Sequence, residues 1–263
     1  MSSERMVEVR DITFAYGSEA PVFENFSWTV GSGEPWAVIG PSGCGKSTLI
    51  YLLAGLQKPQ TGSIIVGGEP VTRPRPKTGV ILQDYGLLPW ATVRENASLG
   101  LKIRRFYGPD GTHAPADVRV SMEEVDYWLK RLGIFDVRDH YPAEISGGQR
   151  QRTAIVRTLV MHPDLLLMDE PFSSLDALTR ESLQDLMLGL HRETGITTIL
   201  VTHSIEEAAL MGKKILVLGQ PPNSKAVIVD NPNSGDRKYR EDEEFMFTCN
   251  RLRDLLGKEP ARR

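Results

Sequence analysis

The sequence predicts an α/β fold with a mainly parallel core sheet, and three observations carry that expectation. Short apolar runs of strand length, Pro35–Ile39, Leu165–Asp169 and Thr197–Thr202, are each followed by helical apolar spacing. Strands alternating with helices pack as a parallel sheet covered by helices. Residues 40–48 then read Gly40-Pro41-Ser42-Gly43-Cys44-Gly45-Lys46-Ser47-Thr48, which fits the phosphate-binding pattern Gly-x-x-x-x-Gly-Lys-Ser/Thr. Finally, the run Leu165–Met168 ends on two carboxylates, Asp169 and Glu170.

Taken in order, Val7–Phe14 alternates loosely and Phe23–Val30 does the same, so both read as strands of a small antiparallel layer. The strand 35–39, the glycine-rich loop and a helix from Lys46 through Leu53 come next. Ser63–Val66 is a short strand before the turn Gly67-Gly68, and a proline-rich loop at 73–76 leads into Gly79–Gln83. Residues 92–132 are mostly helical, broken by a flexible surface loop at Gly108–Gly111 and Pro115. Ser146-Gly147-Gly148 opens a helix to about Met161. Leu165–Asp169 is a strand, Leu178–Arg192 an amphipathic helix, Thr197–Thr202 a strand, Ile205–Met211 a helix and Ile215–Leu218 a strand. After Gly219 the chain turns polar and turn-rich, then a last helix covers about Asp242–Leu256 before a disordered tail at 258–263.

The bulk numbers narrow the function classes. The 263 residues suffice for one large domain or two small ones, and 40% hydrophobic with 25% charged residues is ordinary for a soluble globular protein. A net charge of −3, from 31 basic and 34 acidic residues, gives no footprint for nucleic acid. Two cysteines, Cys44 and Cys249, are too few for a disulfide framework and point to a reducing cytosol. No apolar run approaches the roughly 18 residues a membrane span needs, and Met1–Arg5 has no signal-peptide character.

The motifs carry chemistry. Glycines let the loop backbone curl so that its N–H groups face phosphate oxygens, and the helix start adds partial positive charge. Lys46 is placed to reach the β- and γ-phosphates, and Ser47 to bind Mg²⁺. Asp169 suits Mg²⁺, usually through water, and Glu170 suits a general base for the attacking water. Two acids at a strand end also occur as simple surface caps; the upstream phosphate loop favours the catalytic reading.

Ile145-Ser146-Gly147-Gly148-Gln149, continued by Arg150-Gln151-Arg152, resembles the Leu-Ser-Gly-Gly-Gln signature of ABC-type ATPases. The resemblance runs over about residues 5–220. It implies an ABC-type P-loop ATPase fold with a mainly parallel core sheet, an antiparallel β layer and an inserted helical subdomain. It further implies an ATPase domain at 1–225, its helical subdomain at about 90–160, and a short extension at 226–263.

In such a family the signature loop, with Ser146 as N-cap and Gly147, Gly148 and Gln149 at the helix start, binds the γ-phosphate of ATP held by a second copy. Tyr16 resembles the aromatic that stacks on adenine, worth about 1–3 kcal/mol. Gln83 resembles the glutamine that contacts Mg²⁺ or the attacking water, and His203 the histidine on the γ-phosphate. Ser173-Ser174-Leu175-Asp176 resembles the loop that crosses the dimer interface. Ile145 in place of leucine, and Ser204 where an acid is frequent, remove no catalytic group.

Gln83–Asn96, with Leu87-Leu88-Pro89-Trp90 at its centre, looks like the importer subgroup for nitrate, sulfonates and taurine. The implied partners are a second copy and integral membrane permease subunits with a solute-binding protein, at the cytoplasmic face of the membrane. Leu87 and Leu88 fit either a groove for the permease or the subdomain's own core; Trp90 fits the groove. The alternative, a soluble ABC ATPase in DNA repair or translation, lacks support in a chain with one phosphate loop, no sustained heptads and no basic footprint.

Overall fold

The computed structural model describes residues 4–108 and 121–257. The loop expected around 108–115 lies, beyond Gly108, outside those residues, as does the 258–263 tail. In chain order the strands are β1 (Arg5–Phe14), β2 (Phe23–Gly31), β3 (Pro35–Ile39), β4 (Thr61–Val66), β5 (Glu69–Pro70), β6 (Thr78–Ile81), β7 (Leu165–Asp169), β8 (Thr197–Val201), β9 (Lys214–Val217) and β10 (Val227–Asp230). The α-helices are α1 (Lys46–Leu53), α2 (Val93–Tyr107), α3 (Met122–Arg131), α4 (Gly147–Leu159), α5 (Ala177–Thr194), α6 (Ile205–Met211) and α7 (Glu243–Gly257). The chain forms two compact units, one of Met1–Pro74 with Met187–Arg263 and one of Arg75–Leu186.

The first unit holds both kinds of sheet that the pattern foretells. β2-β1-β4-β5 is antiparallel, and its alternation buries Val7, Val9, Ile12 and Phe14 of β1 beside Phe23, Phe26, Trp28 and Val30 of β2. β3 lies between β8 and β9, parallel to both. Every residue of β3 and β8 is buried, as expected of strands covered on both faces.

The polar stretch after Gly219 contains a strand where the sequence predicts only turns. Val227–Asp230 pairs antiparallel with β9, from Val227↔Val217 to Asp230↔Lys214. Only Val229 of β10 is buried, so its four residues carry little strand signal. The extension is tied down by Asn231, whose Nδ2 donates to the carbonyls of Ala209 at 2.7 Å and Gly212 at 2.8 Å. Tyr239 Oη donates to Asn231 Oδ1 at 2.6 Å, and α7 buries Phe245, Cys249 and Leu252.

The second unit pairs β6 and β7 in parallel and carries α2, α3 and α4. Thr92 and Glu95 form a reciprocal capping box that starts α2. A two-pronged ion pair joins α2 to α3, Arg94 Nε to Asp126 Oδ1 at 2.8 Å and Nη2 to Oδ2 at 2.7 Å. Among the described residues no helix is long and apolar enough to cross a membrane.

Candidate functional site

In the first unit β3 delivers the chain into the loop Gly40–Gly45, and α1 begins at Lys46. Gly45 has φ +104°, and a Cβ there would sit 2.4 Å from Val22 Cγ1, so glycine is required on two counts. Lys46 is 8% exposed; its Nζ donates to the carbonyls of Gly40 at 2.9 Å and Pro41 at 3.1 Å. The ammonium is thereby held over the loop. Ser42, Gly43 and Ser47 are exposed, while Gly40, Cys44 and Thr48 are buried. Burial pushes the Cys44 thiol up despite the nearby Lys46, so it packs as a neutral side chain. Tyr16 is 40% exposed, touches Phe14 edge-on at 4.9 Å, and its Oη lies 3.1 Å from Thr48 Oγ1. Its ring therefore stands at the start of α1.

His203 emerges beside this loop because β3 and β8 run parallel with Val38 opposite Val201. Gly40 and His203 each lie two residues beyond that pair, at the carboxyl ends of neighbouring strands. The turn is fixed by hydrogen bonds: Ser204 N donates to Thr202 Oγ1 at 3.0 Å, Thr202 Oγ1 to Glu207 Oε2 at 2.5 Å, and Glu207 N to Ser204 Oγ at 3.2 Å. Ser204 is thus the N-cap of α6, which gives this position a structural use without an acid.

The second unit repeats the device. β6 and β7 are parallel with Ile81 opposite Met168, so Gln83 and Glu170 each come two residues after that pair. Gln83 is exposed and Asp169 is 5% exposed. Glu170 takes φ +47°, a left-handed conformation unusual for its type. Its carbonyl accepts from Ser173 Oγ at 3.0 Å and from Ser173 N at 3.3 Å, which closes the turn into the Ser173–Asp176 loop. Asp176 Oδ1 accepts from Thr179 N at 3.0 Å, and bonds from Thr179 hold its carboxyl below the usual range.

Ser146 caps α4 as expected, accepting from Gln149 N at 3.2 Å while its own N–H donates to Gln149 Oε1 at 2.9 Å. Gln149 thus closes the box with its side chain. A Cβ on Gly148 would meet Thr179 Cγ2 at 2.5 Å, so this glycine lets α4 approach α5. Gly147 is half-buried and Ser146 exposed.

The chain is similar to known proteins. The family described as ABC transporter matches residues 23–173. The taurine import ATP-binding protein TauB of Escherichia coli O157:H7 is 40% identical over 217 residues, 82% of this chain and 81% of that protein. This chain belongs to the ABC transporter family. Among solved structures, cbiO1 of Clostridium perfringens, part of the transporter complex cbiONQ, is 25% identical with a TM-score of 0.73 over 97% of both chains. The ATP-binding cassette MJ0796, solved as a post-hydrolysis dimer with ADP and Pi, is 28% identical with a TM-score of 0.71, over 86% of this chain and 98% of that one. The chain is an ATP-binding, ATP-hydrolysing ABC transporter subunit with the α/β P-loop fold.

Several residues that shape this ABC subunit lie outside the motifs. Arg157 of α4 donates to the carbonyls of Tyr85 and Gly86, and the Tyr85 and Ser174 hydroxyls are 2.5 Å apart. Asn96 is fully buried and braces the Leu-Leu-Pro-Trp turn: Leu88 N donates to its Oδ1 at 2.7 Å, and its Nδ2 donates to the carbonyls of Leu88, Ala91 and Thr92. That brace leaves Leu87 and Leu88 half-buried and Trp90 73% exposed. In the polar sequence of α2, between Arg94-Glu95 and Ala97-Ser98, Asn96 carries no signal of its role, and Arg157 and Tyr85 offer none either.

Among the described residues no cluster of three His, Cys, Asp or Glu could cage a metal. Ser47 in the first unit offers a hydroxyl, and Gln83 and Asp169 in the second offer a carboxamide and a carboxylate. All three are hard oxygen donors, the kind that Mg²⁺ favours.

Proposed function

We propose that this chain is the ATPase subunit of an importer for a small solute of the nitrate, sulfonate or taurine kind. Two copies sandwich two ATP molecules beneath a separate membrane permease, at the cytoplasmic face of the membrane, with a solute-binding protein supplying the cargo. The observation that carries this reading is the 40% identity to the taurine import protein across four-fifths of both chains. The exposed Trp90 on a turn braced by Asn96 supports it, because a permease's cytoplasmic helix needs an apolar, rigid seat.

In this reading residues 1–225 are the ATPase domain, with the helical subdomain at 90–160, and 226–263 a short extension. Tyr16 stacks on adenine, and the backbone of Gly40–Gly45 with Lys46 and Thr48 cradles the phosphates. Ser47, Gln83 and Asp169 hold Mg²⁺, which neutralises phosphate charge when bound. Glu170 accepts the proton of the attacking water, and Gln83 and His203 orient water and γ-phosphate. Ser146, Gly147, Gly148 and Gln149 of the partner copy close over that phosphate, and Asp176 lies at the same dimer interface. ATP favours the closed dimer by its higher affinity for that state, and hydrolysis removes the bridge.

The test is to affinity-purify Glu170→Gln from gently solubilised native membranes with Mg-ATP and identify the co-purifying molecules. A multi-span membrane protein supports the importer. Recovery of soluble proteins, nucleic acid or ribosomes alone overturns it in favour of a soluble ABC ATPase.

A further inference from the structure

The turn after β9 passes behind the phosphate loop and touches it through Asn223. This side chain is 5% exposed, and its polar atoms are all engaged. Nδ2 donates to the Cys44 carbonyl at 2.8 Å and to the Val22 carbonyl at 3.3 Å; Oδ1 accepts from Gly219 N at 2.9 Å. Its backbone N–H donates to Val22 O at 3.0 Å, and its carbonyl accepts from Glu24 N at 3.0 Å. One residue therefore joins the start of β2, the phosphate loop and the chain beyond β9.

The contact at Cys44 bears on the site. In a planar trans peptide the C=O and N–H point in opposite directions. When Asn223 draws the Cys44 carbonyl away from the loop interior, the other end of that peptide, the Gly45 N–H, turns inward. A carbonyl that accepts a hydrogen bond also makes the N–H of its own peptide a better donor, by about 10–30% in cooperative chains. Gly45 immediately precedes α1 and has the φ of +104° that lets its peptide take this orientation. The loop is held on its other side by Lys46, whose Nζ spans the Gly40 and Pro41 carbonyls.

We propose that Asn223 is a positioning residue for nucleotide binding, holding the Cys44–Gly45 peptide so that the Gly45 N–H faces the phosphates. The inference rests on the reading of Gly40–Thr48 as the ATP site. It assigns part of the phosphate-binding machinery to the segment after Gly219, far from the motif in sequence.

The experiment compares the full-length wild type with Asn223→Ala, Asn223→Ser and Asn231→Ala by steady-state ATPase kinetics, ADP titration and the ¹⁵N amide shift of Gly45. Asn231 also clamps the extension, but onto Ala209 and Gly212 rather than the loop. Expected for Asn223→Ala is an ATP KM and ADP Kd raised about tenfold with kcat within about twofold, and a Gly45 resonance displaced without nucleotide. Should that variant fail to fold, Asn223→Ser, which keeps a small hydroxyl in the buried site, is expected to show the same pattern. Asn231→Ala is expected to lower thermal stability and leave KM in place. Unchanged KM and Gly45 shift in a folded Asn223 variant overturns the inference, as does an equal rise of KM in Asn231→Ala. A wild type that binds no ATP overturns instead the site reading beneath it.

Discussion

Arg157 Nη2 donates to the carbonyl of Tyr85 at 2.6 Å, and its Nη1 to that of Gly86 at 2.5 Å. The signature helix α4 thereby grips the loop just after Gln83. Tyr85 and Gly86 both have positive φ, +60° and +58°, so the grip holds a turn that the backbone alone disfavours for tyrosine. The Tyr85 hydroxyl extends the link to Ser174, in the loop before Asp176. Burial pulls the Arg157 pKa down from its ordinary value, but a guanidinium remains charged throughout the accessible pH range. Arg157→Met is expected to cost about 1.5–3 kcal/mol, the worth of a charged donor's hydrogen bond to the half-buried Tyr85 carbonyl, with the exposed Gly86 carbonyl adding little. Arg157→Lys should recover only part, because an ammonium cannot span both oxygens as a fork. Denaturant midpoints of the three proteins check the ordering; a Lys variant as stable as wild type would show that charge alone matters.

Lys46 Nζ already rests on two loop carbonyls, so it waits over the loop rather than searching from solvent. Lys46→Ala should weaken ATP binding by about 100-fold or more, since it removes a charge-assisted contact to phosphate. The measurement is a titration with a fluorescent ATP analogue on a protein whose circular dichroism matches wild type. Binding within a few-fold of wild type would remove Lys46 from the site.

Glu34 predicts a pH dependence. Burial pushes its carboxyl up, but hydrogen bonds from Lys214, Trp36 and Gly31 outweigh that and hold it below the usual carboxylate range. Its folded pKa is therefore below its unfolded one. The stability it contributes is present above the unfolded pKa and is lost as pH falls through the folded value. Between pH 7 and pH 3 the wild type should lose more stability than Glu34→Gln, read from urea midpoints across that range. Parallel curves would mean that the network does not favour the ionised form.

Trp90 separates docking from folding. At 73% exposure it makes little packing contribution, so Trp90→Ser should change stability by no more than about 0.5 kcal/mol. Under the importer reading it should nevertheless reduce co-purification with the membrane partner severalfold, while ATP hydrolysis by the isolated chain is retained. Equal recovery of the partner would place the docking surface elsewhere.

The elements with strong periodicity are legible from the residues: α6 begins and ends where the apolar spacing does, at Ile205 and Met211. The fully buried strands β3, β7 and β8 are equally plain, since each is built on three to five consecutive apolar residues, a run with few other uses in a chain of this composition. β10 is not legible, because three of its four side chains are exposed and its pairing is dictated by β9. The apolar run extends to Leu82, yet β6 stops at Ile81, where the pairing with β7 runs out. The motif residues announce themselves, but their supports do not. Asn223 meets Val22 and Cys44 across 201 and 179 residues, and Arg157 meets Tyr85 across 72, separations at which no local pattern exists. In the sequence Gly148 reads only as a glycine at a helix start; its close packing against Thr179 is visible only from the fold.

Hydrolysis of ATP with Glu170 as the base is tested most directly on purified Glu170→Gln. Steady-state phosphate release and retention of radiolabelled ATP would be measured in the same sample. The prediction is ATP held at wild-type affinity with turnover reduced about 10²–10⁴-fold, the usual contribution of a positioned base. Turnover at the wild-type rate would contradict this assignment and remove Glu170 from the reaction.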